Sequence, residues 1–139
     1  MRMRVMAQVF AVASVLGAMP LLAATQTRPA EPTFAELLAL AKRDLATEKG
    51  AAYDTTMGKQ FASNQGEGVN TCLEGASKSS MPENFQAVIV VDKDGKVSKV
   101  VLSPETEEGK CIRKLLLQEK FPKPPTAPFH DLMDMTFKP

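Results

Sequence analysis

The chain has 139 residues, and its 17 basic and 16 acidic side chains leave a formal net charge of +1. That balance gives no electrostatic basis for binding nucleic acid or an anionic membrane surface. The chain has no tryptophan and a single tyrosine, so it offers few aromatic surfaces on which bases could stack, and we expect no nucleic-acid partner.

Residues 1–24 have the layout of an export signal. Arg2 and Arg4 supply a positive start, a mainly apolar segment covers residues 5–16, and two small alanines end the stretch at a suitable cleavage point. A membrane-spanning helix needs about 20 apolar residues, and Pro20 would interrupt it. We therefore expect a cleaved signal peptide, no stable membrane anchor afterwards, and a periplasmic or secreted mature protein with a net charge of about −1, since 15 basic side chains then face 16 acidic ones.

The next part of the sequence is typical of helices. Residues 25–32 hold two prolines among polar side chains and are predicted to be a flexible leader. Thr33 and Glu36 have the spacing of a capping box, and apolar residues then recur at helical spacing as far as Gly50, where we expect the helix to stop.

A second helical stretch carries a stripe of large side chains four residues apart, namely Tyr53, Met57 and Phe61. Such a stripe could line a ligand groove, but packing against the core is the better interpretation. The Asn- and Gly-containing residues 64–68 are predicted to form a turn. We therefore place the boundary of a helical segment, residues 33–66, at this turn.

Residues 67–139 have the pattern of a small α/β module. A short helix presenting Cys72 inward precedes a β-branched, apolar run over residues 85–91, which is typical of a buried strand. Residues 92–96 are predicted to form a hairpin turn, with Gly95 suited to a positive φ, before a partner strand over residues 97–102.

The hairpin sequence also resembles the start of a calcium loop. Asp92, Asp94 and Gly95 fit that pattern, but a calcium loop of the EF-hand type needs a bidentate glutamate six residues after the glycine. Val101 occupies that position. We therefore predict neither a metal site nor a cofactor.

The remaining elements are a helix, a proline-rich loop and a final strand. The helix is predicted to begin at Ser103-Pro104 and to carry Cys111 on its apolar face, and the loop covers residues 121–129. One face of the final strand holds Met133, Met135 and Phe137. The predicted fold is α+β, a small antiparallel sheet of about three strands packed against two helices and preceded by a helical N-terminal segment.

Cys72 and Cys111 are predicted to form a structural disulfide. An exported chain reaches an oxidising compartment, and both cysteines lie on the apolar side of a predicted helix. Two buried free thiols or a reactive thiol pair are the alternatives. A dithiol redox motif usually places its cysteines two residues apart, which these two are not.

The order of elements in residues 69–139 resembles the TonB C-terminal fold. It is closest to the two-cysteine AgmX/PglI C-terminal type of exported bacterial module. The motifs that carry the resemblance are the Asp-x-Asp-Gly-Lys-Val hairpin with Gly95 and Val97, then Ser103, Cys111-Ile112 and Phe121-Pro122. The resemblance implies a layer of two helices and three strands whose edge strand recruits a partner.

The resemblance does not extend to the role of energy-transducing TonB proteins. Those proteins keep an uncleaved N-terminal anchor and a long proline-rich spacer. This sequence instead predicts a cleaved signal and a helical segment over residues 33–66, so coupling to a membrane proton gradient does not carry over.

These features predict a non-catalytic exported binding or accessory module. It would engage an envelope protein, or a second copy of itself, through the sheet edge formed by Met133, Met135 and Phe137. The alternative is a periplasmic inhibitor or immunity protein that acts against a cell-envelope enzyme or toxin.

The sequence contains no pattern typical of an enzyme. His130 is the only histidine; Asp131 adjoins it, but no nucleophile motif does, and we expect His130 at the surface or at a strand edge. A pocket with converging polar groups would reopen the question of catalysis.

Overall fold

The computed structural model describes residues 28–74 and 84–136, which form an α+β fold, as predicted. The predicted signal peptide and Phe137 lie outside the described residues. Residues 28–32, part of the predicted leader, are exposed and belong to no helix or strand. The elements are α1 (Phe34–Leu45), α2 (Glu48–Glu74), β1 (Asn84–Val91), β2 (Val97–Ser103), α3 (Glu107–Leu116) and β3 (Phe129–Thr136).

The predicted capping box at the start of α1 is confirmed. The Glu36 carboxylate accepts a hydrogen bond from the Thr33 backbone N–H at 2.7 Å, and the Thr33 hydroxyl accepts one from the Glu36 N–H at 3.3 Å. These bonds, first of all the one from the Thr33 backbone, hold the pKa of Glu36 below its ordinary value. The cap fixes where α1 begins.

Gly50 does not end α1, contrary to the prediction. The helix ends at Leu45, and Gly50 lies buried in the first turn of α2. A Cβ atom at Gly50 would collide with the backbone carbonyl of Asp44, so a glycine is needed for the chain to turn back this tightly. The residue therefore marks the close approach of two helices.

The predicted turn over residues 64–68 is also wrong, because α2 is continuous from Glu48 to Glu74. Asn64 and Gln65 donate side-chain hydrogen bonds of 3.1 and 2.8 Å to the buried carboxylate of Glu119. Contacts of this kind outweigh the low helix propensity of the glycines in the segment. The boundary that we placed between residues 66 and 67 therefore falls inside α2.

The antiparallel sheet of the described residues has the strand order β2-β1-β3. β1 is central, and its side chains are buried on both faces. One face packs against α2 and α3 through Phe85, Ala87, Ile89 and Val91. The other face packs against α1 through Val88 and Val90. The sheet thus lies between one helix and a pair of helices, whereas the sequence predicted helices without assigning them to faces.

The predicted hairpin turn is confirmed, with Gly95 at a φ of 86°. The Asp92 carboxylate accepts hydrogen bonds from the backbone N–H groups of Asp94 and Lys96 at 2.8 and 3.0 Å. These bonds, that of Asp94 first, lower the pKa of Asp92. The Asp92 side chain therefore stabilises the turn by accepting hydrogen bonds from the backbone of the residues that follow it.

Helix α3 begins later than the sequence predicted. β2 continues to Ser103, and Thr106 caps the helix by accepting a 3.1 Å hydrogen bond from the Gly109 N–H. Ser103 is not available as a helix cap because it pairs with Gln86 as the last residue of β2, so the helix begins after the next hydroxyl residue, Thr106. The apolar face of α3 is buried as predicted.

The predicted disulfide between Cys72 and Cys111 is present, with 5.7 Å between the two Cα atoms. It joins the last turns of α2 to α3 on the same face of the sheet. A disulfide is consistent with a periplasmic or extracellular location. No helix in residues 28–74 or 84–136 has both the length and the apolar character needed to cross a membrane.

We expect the disulfide to contribute about 4 kcal/mol to the free energy of unfolding, since it closes a loop of about 40 residues in the unfolded chain. Urea unfolding of the oxidised protein and of the Cys72→Ala/Cys111→Ala variant measures this difference. The reduced wild-type protein is the control and should behave like the variant. Equal unfolding midpoints for the oxidised protein and the variant would contradict the expectation.

Candidate functional site

The predicted edge strand is an edge in the structure, because β3 pairs with β1 on one side only. β3 begins at Phe129, earlier than the sequence indicated. The Phe129 ring is fully buried and packs edge-on against Tyr53, with 4.9 Å between ring centroids. The side chains of Met133 and Met135 are half-buried and pack against the core on the face of α2 and α3.

The direction of the hydrogen bonds identifies the backbone groups that β3 leaves for a partner. The N–H of His130 donates to Asp44 rather than to β1, and the Val90 carbonyl, opposite His130, accepts a bond from Ser98 in β2. In an antiparallel pair this direction alternates along the strand. The outward-pointing N–H and C=O groups are therefore those of the even-numbered residues Leu132, Asp134 and Thr136. The backbones of Met133 and Met135 are used in pairing with β1.

His130 lies on the edge strand β3, one of the two positions that the sequence predicted, but its side chain is buried rather than at the surface, with 6% exposed. One carboxylate oxygen of Asp44 lies 3.0 Å from the His130 backbone nitrogen and 2.9 Å from its ring Nδ1. Because an ionised carboxylate can only accept hydrogen bonds, Nδ1 carries the proton. Asp44, at the end of α1, thereby closes the first part of the β3 edge.

The other oxygen of Asp44 accepts hydrogen bonds from the exposed Arg43 guanidinium, the shorter of them at 2.8 Å. Burial raises the pKa of the Asp44 carboxyl, but the hydrogen bonds from His130 and Arg43 together outweigh burial, and the pKa is lowered. The carboxylate is therefore ionised in the neutral range.

The far half of β3 is more open than the half beside Asp44. Asp134 and Thr136 are exposed, and Leu132, Met133 and Met135 are half-buried. Among the residues that the structure describes, neither a helix nor another strand supplies hydrogen bonds to the backbone of Leu132, Asp134 or Thr136 on the outer side. The Leu132 N–H also interacts with the Asp131 carboxyl, which acts to lower the pKa of that group. This half of the edge therefore has the free backbone groups that strand addition requires.

A cavity of about 230 Å³ lies between α2 and β3, beside the open half of the edge. Most of its walls are apolar, but three aspartates line it, namely Asp54, Asp131 and Asp134. The residues that matter for its chemistry are Asp54, Met57, Gly58, Phe61, Asp131 and Met133. Asp131 is only 4% exposed, and its Oδ1 atom has no hydrogen-bond partner among the described residues.

Asp54 of α2 and Asp131 of β3 both line the cavity, so two carboxyl groups converge in it. Burial raises the pKa of Asp131 to about 7, and the charge of Asp54 and a hydrogen bond between the two side chains act in the same direction. Asp131 therefore gains or loses its proton near neutral pH. The sequence did not predict this pair, because the two residues are remote from each other along the chain. The available signal was the alternation in β3, which puts Asp131 on the same face as Met133.

A larger cavity of about 780 Å³ adjoins the predicted proline-rich loop. It lies beside Asp44, Thr47 and His130 and is bounded by residues 125–128. Both ends of the loop are fixed, since Phe121 and Phe129 are buried. Within residues 28–74 and 84–136, no three His, Cys, Asp or Glu side chains are placed to hold a metal ion.

Comparison of this chain with family models, with curated proteins and with solved structures finds no match. The resemblance to the TonB C-terminal fold therefore stays a prediction, which rests on the motifs of residues 69–139.

We expect Asp44→Ala to lower the free energy of unfolding by about 2 to 3 kcal/mol, because two buried N–H donors of His130 lose their acceptor. Arg43→Ala is the matched control. Its side chain is 66% exposed, so its loss should cost no more than about 1 kcal/mol. Urea unfolding at pH 7 measures both, and equal effects of the two substitutions would contradict the anchoring role of Asp44.

The Asp131 pKa predicts how stability depends on pH. The unfolded chain releases this proton near pH 4, whereas the folded protein retains it up to about pH 7. Stability should therefore fall between these values, by at most about 1.4 kcal/mol per pH unit, and then level off. In Asp131→Asn this component should disappear, while the exposed Asp134→Asn should leave it unchanged. Urea unfolding from pH 4 to 8 measures it, and parallel profiles for Asp131→Asn and wild type would contradict the assignment.

Proposed function

We propose that this protein is an exported, non-catalytic binding or accessory module that holds a protein partner by strand addition to β3. The observation that carries the proposal is the open half of the edge, where Leu132, Asp134 and Thr136 direct their N–H and C=O groups away from β1. An extended segment of a partner could pair with these groups and continue the sheet.

The free energy available from strand addition to β3 favours a reversible contact with the partner. A hydrogen bond contributes about 0.5 to 1.5 kcal/mol net, so three residues that pair on one side supply a few kcal/mol. The half-buried Leu132, Met133 and Met135 add apolar surface that a partner would cover. Because ordering the partner segment opposes binding, contacts beyond the backbone are needed for specificity.

The proposed location is the periplasm or the extracellular space. The Cys72–Cys111 disulfide is consistent with an oxidising compartment, and residues 1–24 have the pattern of a cleaved signal. The resemblance to the two-cysteine TonB-like modules implies the same use of an edge strand. Export and edge binding therefore fit together in one proposal.

The cavity beside β3 reopens the question of catalysis, since two carboxyl groups converge in it. A carboxyl pair is a known arrangement for acid–base chemistry. Here one member, Asp131, is almost completely buried, and none of the described residues lining the cavity is a histidine, serine, threonine or cysteine. We therefore retain the non-catalytic function as the proposal.

The test is a crosslinking pull-down from intact cells with the full chain expressed from its own signal. Asp134→Pro removes an outward N–H and leaves the pairing of β3 with β1 in place, whereas Asp134→Ala keeps that N–H and is the matched control. We expect one envelope protein, or a second copy of this chain, to be captured by wild type and Asp134→Ala and lost with Asp134→Pro.

Circular dichroism of each purified variant shows that it is folded before the comparison is made. A partner that binds wild type and Asp134→Pro equally would contradict strand addition at β3. If that partner is a secreted enzyme or toxin, the result would favour the inhibitor or immunity protein that the sequence offered as the alternative.

A further inference from the structure

We propose that the cavity between α2 and β3 receives a lysine side chain from the partner strand that adds to β3. This inference deepens the proposed function and rests on it, because it names the chemistry of the partner at the same edge. The cavity lies beside the open half of the edge, and Asp131 and Met133 of β3 line it.

The position follows from the alternation of side chains in a sheet. Asp131 and Met133 point to the face of α2, and a strand added outside β3 would place every second side chain on that same face. Directly opposite residues in neighbouring strands have Cβ atoms about 5 Å apart. One partner side chain opposite this part of β3 is therefore within reach of the cavity, and the exposed Gly58 leaves room at its mouth.

The lining matches the chemistry of lysine. Met57, Phe61 and Met133 offer an apolar wall for the four-carbon stem, and the carboxyls of Asp54 and Asp131 offer acceptors for the ammonium. The unpartnered Oδ1 of Asp131 is a buried acceptor without a donor among the described residues. An ammonium group carries three donors and would satisfy it.

The volume of the cavity and the charge of its lining further limit which group it could hold. At about 230 Å³ the cavity is smaller than the roughly 300 to 1,000 Å³ of small-molecule sites, so it suits one side chain rather than a cofactor. No lysine, arginine or histidine lines it among the described residues. A cation from outside would therefore complement two carboxyl groups that repel each other.

Binding of a cation should release the proton that Asp131 retains in the folded protein. The titratable groups around Asp131 are Asp54 and Tyr53 of α2 and Asp134 of β3, which also lines the cavity, and none of them is a cation at neutral pH. Since the folded protein loses this proton near pH 7, affinity for an ammonium ligand should rise about tenfold between pH 6 and pH 8.

The first experiment tests the cavity alone, with pentylammonium chloride as a probe of the lysine stem and head. Amide chemical shifts of the full mature protein are followed by NMR during titration. Gly58→Leu should weaken binding at least tenfold, because it fills the cavity from a position where an added Cβ meets no atom within 4 Å. Gly66→Leu is the matched control, since it is equally open, lies on the same helix and does not line the cavity.

We expect pentylammonium to shift the amides of Gly58 and Met133 in wild type and in Gly66→Leu, with the affinity rising about tenfold from pH 6 to pH 8. Asp131→Asn should weaken binding by about tenfold and abolish that pH dependence. The inference is overturned if uncharged pentan-1-ol binds as tightly as pentylammonium, or if Gly58→Leu and Gly66→Leu bind it equally well.

The second experiment separates this inference from the proposed function. An acetylated and amidated seven-residue peptide of alternating threonine and valine, with one central lysine, is compared with the same peptide carrying norleucine there. We expect the lysine peptide to bind at least tenfold more tightly, and Thr136→Pro, which removes an outward N–H outside the cavity lining, to weaken the binding of both peptides.

The two failures have different signatures. If pentylammonium binds as expected but Thr136→Pro leaves the lysine peptide unaffected, strand addition is wrong while the cationic cavity stands. If both peptides bind equally well and lose affinity in Thr136→Pro, strand addition stands and the lysine assignment is overturned.

Discussion

The fold depends on covering β1 on both faces. From Ala87 to Val91 this strand has no exposed side chain, so neither face can be left to water. One helix on one side and two on the other satisfy that requirement, and β2 and β3 take the remaining hydrogen bonds of the strand. The consequence is that both outer strands of this three-stranded sheet are edges.

Three carboxylates determine the properties of the free edge of β3 and of the cavity beside it. Asp44 closes the beginning of the strand by accepting the N–H of His130, which would otherwise be a buried donor without a partner. Beyond that point the edge is open, and the exposed Asp134 places a charge beside it, which discourages indiscriminate pairing. Asp131, on the opposite face of the strand from Asp134, brings a carboxyl into an apolar cavity. The same strand thus carries an anchored half and an open half.

The α2 helix provides the rigid side of the candidate site. Its Tyr53, Met57 and Phe61 stripe is buried, the Tyr53 hydroxyl donates a 2.6 Å hydrogen bond to the Pro122 carbonyl, and the disulfide holds its far end to α3. Burial, followed by the nearby charges of Asp131 and Asp92, raises the pKa of Tyr53 to about 12, so the hydroxyl stays a donor. A site built between a fixed helix and a strand changes shape little on binding, which favours selection by side-chain chemistry.

Local patterns determined much of this protein from the sequence alone. The capping box at Thr33, the turn glycine Gly95, the β-branched run of β1 and the cysteine pair each follow from short-range chemistry, and each is found in the structure. Tertiary contacts decided the rest: the buried Glu119 keeps α2 helical through the predicted turn, and Asp44 draws His130 into the interior. Tertiary structure also decides that Asp54 and Asp131 lie near each other, because only packing brings side chains so remote in sequence into one low-dielectric cavity.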